Sequence, residues 1–552
     1  VQRRKFIRVS GLSAAAFLIK PSNQNTQEKI LGFPDSVSVR CKGEWFSLKG
    51  RDDHWSFQDI EVHFKDVSNA ISIYAQAPNR ELENIKCSWN NPAGKKSYCL
   101  NDHWERGYGD LSWESIDVKR RSPWYILFSD GVNTLACGVK TGPNSICYWQ
   151  ASPESLELVM DTNSGGMGVL LGDRTLHAAD FFAIFNLPGE NPFHTDIRFC
   201  KMMCDHPVLP KHPVYGINDW YFAYGNNSKD LILQTTTMMA ELVTDHSNKP
   251  FSVIDMGWSK KPLKSNEEYV WGDDFTMGNS NFGDMDVVAS YIKKLGMRPG
   301  LWTRPLQANA NDKPTLLIPV RKDQKDLKER YLDPTIPENL QRIAHTISLY
   351  KNWGFELVKH DYTSYDLFGR WGFEMNETMT VPGWQFQDRS KTNAEIILEL
   401  YRTIRAAAGE IYLIGCNTFS HLSAGIFDIN RIGDDTSGNE WARTLKMGVN
   451  SLAFRLPQHN TFYAADGDCV GLTTKVPWEK NKQWLRLLAE SSAPLFISAQ
   501  PEAIGAEQKH SIKKAFADAA KIQPRGEPLD WMTNPRPSDW KLNEKQIHFD
   551  WT

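Results

Sequence analysis

Two acidic segments in the second half of the chain carry the residue types that can break a glycosidic bond. The first, Glu356-Leu-Val-Lys359-His360-Asp361-Tyr362, sets an amine two residues before a carboxylate. On a strand both side chains then share a face, and the ammonium favours the ionised carboxylate that a nucleophile needs. The same spacing also describes an ordinary salt bridge at a strand end. The second, Asn430-Arg431-Ile432-Gly433-Asp434-Asp435-Thr436-Ser437-Gly438, places two carboxyls side by side. On extended chain they point to opposite faces, and like charge raises the pKa of one, as a proton donor requires. As a bare string it is equally good turn chemistry. Together the segments supply one ionised and one protonated carboxyl, the pair that glycoside hydrolysis uses. No His-Glu-x-x-His pair, phosphate-binding Gly-Lys loop or Gly-x-Ser-x-Gly elbow competes with them.

Such side chains need a scaffold that brings them together. From Pro213 onward, short apolar strands starting near Val214, Phe251, Arg298, Phe355, Ile411, Phe427, Phe462 and Pro494 alternate with amphipathic stretches. Those stretches are 287–295, 339–353, 394–408, 440–448 and 481–490. Eight such units predict a (β/α)8 TIM barrel over residues 214–521. Polar and aromatic residues gather just after the strands, at Trp220, Asp255, Trp302, Asp361, Cys416-Asn417, Asp434 and Asp466-Gly-Asp468. A barrel builds its site at those C-terminal ends. Residues 33–205 read instead as strand after strand, with Asp130-Gly131 as a hairpin turn. They predict an N-terminal antiparallel β-sandwich with hardly any helix. Leu209-Pro-Lys-His-Pro213 is the linker, and 522–552 a short C-terminal β extension holding Trp531, Trp540 and Trp551.

Composition narrows the function. The 552 residues hold 63 Lys plus Arg against 66 Asp plus Glu, a net charge of −3, so there is no basic surplus for nucleic acid. No apolar run reaches the ~20 residues of a membrane span. Twenty tryptophans, many beside Asp, Gly or Asn, suit either sugar faces or a large core. Arg3-Arg4-Lys5-Phe6 followed by an apolar stretch to Ile19 resembles a twin-arginine signal, so residues 1–22 are expected to direct export to a bacterial periplasm or beyond. Nine cysteines leave at least one thiol unpaired. Cys200 and Cys204 read as core thiols or a bridge, without the second pair that a zinc site needs. No metal and no cofactor is expected. The oligomeric state stays open.

The barrel resembles the α-galactosidase clan of retaining glycoside hydrolases, families 27 and 36. Gly216-Ile-Asn-Asp-Trp220 is similar to the first-strand Gly-Trp-Asn-Ser-Trp, and Asp255-Met256-Gly-Trp258 to Asp-Asp-Gly-Trp. Gly296-Met-Arg-Pro-Gly-Leu-Trp302, Lys359-His-Asp361, Arg431 with Asp434, Asp466-Gly-Asp468 and Ala493-Pro-Leu-Phe-Ile-Ser498 follow in the family order. The N-terminal half looks more like family 36. The resemblance implies Asp361 as nucleophile and Asp434 as acid/base, with Trp220, Asp255, Trp302, Lys359, Cys416, Asn417 and Arg431 around a carbohydrate substrate. The implied fold is the barrel, the implied activity exo-acting α-galactoside hydrolysis, and the expected carboxyl separation about 5–5.5 Å.

Two departures bear on the sugar. Met256 replaces an acid that binds the hydroxyls around C4 and C6, and Asn417 replaces one that contacts the 2-hydroxyl. A β-L-arabinopyranosidase, whose sugar lacks the C6 group, is therefore one alternative, and a carbohydrate-binding protein without turnover is another. The family disulfide from Cys416 cannot form, because its partner position holds Thr363. Arg304 reads as a contact to an acidic substituent or as a structural arginine.

Overall fold

A computed structural model describes residues 29–93, 97–261, 272–324 and 329–552. The export segment 1–22 lies outside the described residues. The barrel region contains nine parallel strand segments, named here β1 (Tyr215–Asn218), β2 (Phe251–Ile254), β3 (Arg298–Thr303), β4 (Leu357–His360), β5 (Tyr412–Gly415), β6 (Ile429–Arg431), β7 (Ala464–Asp466), β8 (Cys469–Leu472) and β9 (Leu495–Ala499). Neighbours pair in chain order from β1 to β7, and β9 pairs with both β8 and β1. β7 and β8 are one strand position broken at Gly467-Asp468, where Asp468 adopts φ +73°. The curled sheet is thus joined into a ring by the covalent chain rather than by a ladder at that point.

Alternation along the strands explains where the chemistry sits. Phe251, Val253, Leu357, Tyr412, Ile414, Ile429, Ala464 and Phe496 form one apolar cluster inside the ring. Two residues further along the same strands come Asp255, Lys359, Cys416, Arg431 and Asp466. With a period of two they stay on the lumen side but above the apolar plug. Amphipathic helices cover the outside, including Met285–Lys294, Pro337–Asn352, Asn393–Ala408 and Trp478–Glu490, each within three residues of its expected start. Lys229–Ala240 and Ala506–Ala519 are further helices that the sequence reading did not draw. The expected helix at 440–448 is a short turn followed by a π-helical segment, Thr444–Asn450. Gly433 packs so closely there that a Cβ would lie 2.1 Å from the Met447 carbonyl.

The N-terminal region contains a six-stranded and a ten-stranded antiparallel sheet. They meet through side chains such as Trp89 and Phe181, whose rings lie 5.0 Å apart. The Asp130-Gly131 turn joins Tyr125–Ser129 to Thr134–Val139, with Asp130 accepting from the Val132 and Asn133 amides. One expectation fails here: Pro192–Met203 is a helix. Its signal lay in Pro192 at the first turn, Asn191 as N-cap and buried Phe193, Asp196, Phe199, Cys200 and Met203 at helical spacing. All nine cysteines are buried and free, so Cys200 and Cys204 are core thiols. Residues 527–548 form a three-stranded sheet, and Trp531 from its first connection packs against Trp113 and Phe193. No helix among the described residues is long and apolar enough to cross a membrane.

Candidate active site

Asp361 follows β4 directly. Its Oδ2 accepts from the Trp302 indole at 3.0 Å and its Oδ1 from the Tyr362 amide at 2.8 Å. The second bond needs an unusual backbone: Tyr362 sits at φ +66°, a left-handed conformation that costs a bulky residue of order 1–3 kcal/mol. The carboxylate is therefore held from both sides. Below it, Lys359 Nζ lies 2.7 Å from Asp255 Oδ2, which also accepts from Asn218 at 2.8 Å. Burial pulls the ammonium's pKa down, but the surrounding acidic groups, Asp255 foremost, together more than offset this and keep Lys359 charged. Burial and the Asp255 charge push neighbouring Asp219 up to about 7. Met256 is half-buried and packs against the main core.

Beyond β6 the two adjacent aspartates differ sharply. Asp434 is clamped by two guanidinium groups at 2.8 Å, Arg106 on Oδ1 and Arg443 on Oδ2, and its side chain is 15% exposed. Asp435 is 38% exposed and meets Arg431 at 3.3 Å and Arg106 at 3.5 Å. Desolvation raises the Asp435 carboxyl, yet Arg106 and Arg431 together hold it below the usual range. Tyr362, next to Asp361, packs its ring 5.5 Å from that of Trp371, and Arg106, which holds Asp434 and Asp435, stacks over the same Trp371 ring at 5.8 Å.

The other expected residues divide into two groups. Trp302 and Cys416 are buried at the mouth, with Cys416 Sγ 3.6 Å from Arg431. Trp220 is half-buried over the lumen cluster. Arg431 is only 1% exposed and is used by Asp468 at 3.0 Å, so it organises neighbouring side chains from below. Asn417 is fully buried and donates to Glu105 at 2.7 Å. Arg304 is a structural arginine: it pairs with Asp366 at 2.7 Å and Glu329 at 3.1 Å, and stacks 4.2 Å over Tyr362.

Sequence reasoning missed the contribution of the N-terminal region. Residues 102–108 leave the ten-stranded sheet and enter the barrel mouth. Asp102 pairs with buried Arg455 at 2.8 Å. Glu105, wholly buried, accepts from Asn417, Gly372, Ser364 and Tyr108, and burial raises its pKa. Arg106 then bridges the two aspartates. The only hint in the sequence was the dense polar and aromatic run Asp102-His-Trp-Glu-Arg-Gly-Tyr-Gly-Asp110 amid strands. Among the described residues, one His/Glu grouping has spacing that could hold a metal ion, His54, Glu61 and His63; it lies on the ten-stranded sheet, not at this mouth.

No protein-family model matches the chain. Its fold is similar to solved α-galactosidases. An α-galactosidase from Thermus thermophilus in complex with p-nitrophenyl α-D-galactopyranoside has 15% identity and a TM-score of 0.60, covering 93% of this chain and 99% of that one. The family 36 α-galactosidase AgaA from Geobacillus stearothermophilus has 12% identity and a TM-score of 0.61, covering 91% and 78%. The galactosidase domain of the α-galactosidase–sucrose kinase AgaSK has 12% identity and a TM-score of 0.57, covering 90% and 70%.

Proposed function

We propose that the protein is a retaining, exo-acting α-glycosidase of the α-galactosidase type, removing terminal galacto-configured sugars from oligo- or polysaccharides. The observation that carries this reading is Asp361, fixed by the Trp302 indole and by the amide of Tyr362 in its left-handed conformation. The likeness in fold to α-galactosidases supports it. Asp361 attacks the anomeric carbon as a proton passes to the leaving oxygen. Water, deprotonated by the same acid/base group, then hydrolyses the glycosyl ester. We transfer the proton-donor role from Asp434 to Asp435. Asp434 is tied by two short charge-assisted bonds, whereas Asp435 is more exposed and more loosely held; the arginines hold its carboxyl low in the open site, so this assignment requires that desolvation by bound substrate offset them. Asp434 then acts as the anchor for Arg106. Export to a periplasm or the medium, proposed from the arginine pair at the N-terminus, would place the enzyme where such glycans arrive.

Two observations favour other readings. The apolar Met256 beside Asp255 favours a sugar without a C6 hydroxymethyl group, such as a β-L-arabinopyranoside. The amide Asn417 in place of an acid, together with the twenty tryptophans, favours a carbohydrate-binding protein without turnover. Release of nitrophenol from α-galactoside, α-N-acetylgalactosaminide, β-L-arabinopyranoside and α-glucoside separates these, with Asp361→Asn as control. Hydrolysis that disappears in the variant supports the glycosidase and its nucleophile. Hydrolysis that survives in the variant removes Asp361 from the reaction, and sugar binding with no hydrolysis leaves the binding protein.

A further inference from the structure

A polar cavity of about 700 Å³ lies between the N-terminal sheets and the segment 376–382 that follows β4. That volume is within the range of small-ligand sites, roughly 300–1,000 Å³. Its wall is built from both parts of the chain. Arg40, Glu83, Asp161 and Asn163 come from the N-terminal region, Thr378 and Thr380 from the barrel side. Arg121 spans the seam, bonding to Asn376 and Glu377.

The charges here are largely answered internally. Arg40 sits 3.3 Å from Glu83, and Arg121 pairs with Glu377. Asp161 is the acid left short of a hydrogen-bond partner, and the Nε atoms of Arg40 and Arg121 are likewise buried without one. Asp161 is 1% exposed, and its Oδ1 accepts from the amide and side chain of Asn163 at 2.8 and 2.9 Å. Its Oδ2 is buried at the cavity with no hydrogen-bond partner. Burial pushes this carboxyl up to about 7. An unanswered buried acceptor is unfavourable unless a ligand supplies the donor. The rest of the wall offers amide and hydroxyl groups that both donate and accept, with Gly165 and Gly166 leaving bare backbone alongside. A neutral, hydroxyl-rich molecule answers all of these without importing a charge.

We propose that this cavity is a second carbohydrate site, holding one or two sugar units of a glycan, with a hydroxyl donating to Asp161. The identity of the ligand rests on the glycosidase reading; the existence of the site rests on the cavity itself.

The test uses the full chain carrying Asp361→Asn, titrated calorimetrically with stachyose. Two binding sites are expected. Adding Thr378→Trp, whose ring fills the cavity from its half-exposed rim, removes one of them. Adding Asp161→Asn keeps an acceptor for Asn163 but turns Oδ2 into a donor, and weakens the same site by about tenfold, the equivalent of one hydrogen bond. An unfolding temperature close to the parent's identifies each variant as folded, and either variant suffices if the other fails to fold. Binding that neither variant changes, or a single site that survives Thr378→Trp, overturns the proposal. Hydrolysis of p-nitrophenyl α-D-galactopyranoside by the otherwise wild-type chain should be unaffected by both substitutions. Loss of one stachyose site in a protein that hydrolyses no glycoside would sink the glycosidase reading and leave the cavity site standing.

Discussion

Arg106 reaches the barrel mouth from a strand-rich region more than three hundred residues before Asp434, and replacing it tests how the site is assembled. Its Nη2 bonds Asp434 at 2.8 Å, with side-chain exposures of only 9% and 15%. Removing one partner of a largely buried pair costs about 3–5 kcal/mol. The remaining Arg443 contact relieves part of that for Asp434, so Arg106→Ala should destabilise the protein by about 3 kcal/mol. The same guanidinium helps to hold the Asp435 carboxyl low. Without it that pKa rises, and because Asp435, as the proposed acid, must be protonated to donate, the alkaline limb of kcat/KM should move to higher pH. Arg106→Lys keeps the positive charge but loses the fork that spans two carboxylates. It should restore the limb more fully than the stability. Urea unfolding and pH–rate profiles on an aryl galactoside read the two effects separately. A profile for Arg106→Ala that superimposes on wild type would refute the electrostatic role and leave Arg106 as a domain fastener.

Two other substitutions follow from the same geometry. Trp302→Phe removes the 3.0 Å bond to Asp361 while keeping the aromatic packing; a hydrogen bond to a charged group is worth about 1.5–3 kcal/mol, so kcat should fall by roughly ten- to a hundredfold with KM little changed. A kcat within twofold of wild type would show that Trp302 does not orient the nucleophile. Asp196, fully buried beside the Cys200 thiol, is pushed up to about 8 mainly by desolvation. Between pH 4 and 8 the folded state then holds a proton that the unfolded state has released, so stability falls as pH rises through that window and levels off above it. Asp196→Asn should remove this contribution, on the order of 4 kcal/mol at pH 7, and flatten the dependence of the melting temperature on pH. Parallel curves for variant and wild type would show that Asp196 does not titrate in this way.

Much of this molecule was written into local patterns. Alternating apolar residues fixed which side chains of β2, β4, β5, β6 and β7 line the lumen. The same period of two carried that face upward to Asp255, Lys359, Cys416, Arg431 and Asp466. Strand spacing and helical periodicity located most of the barrel elements, and Lys359 could be read beside Asp361 because they lie two residues apart at the end of β4, although the fold pairs the ammonium with Asp255. The misses were of two kinds. The helix Pro192–Met203 had its cap and its periodic apolar face, but both were overlooked inside a strand-rich region. Tertiary structure alone decided the rest. Arg431 is committed to Asp468 and Asn417 to Glu105, partners far enough away in sequence that no spacing rule connects them. Asp434 and Asp435 are chemically identical neighbours, and only the arginines that fold around them make one an anchor and leave the other more loosely held. Periodicity records how a segment meets the core as a whole. It carries no information about which distant charge will sit opposite a given carboxylate, and that choice is made when the N-terminal segment docks into the barrel mouth.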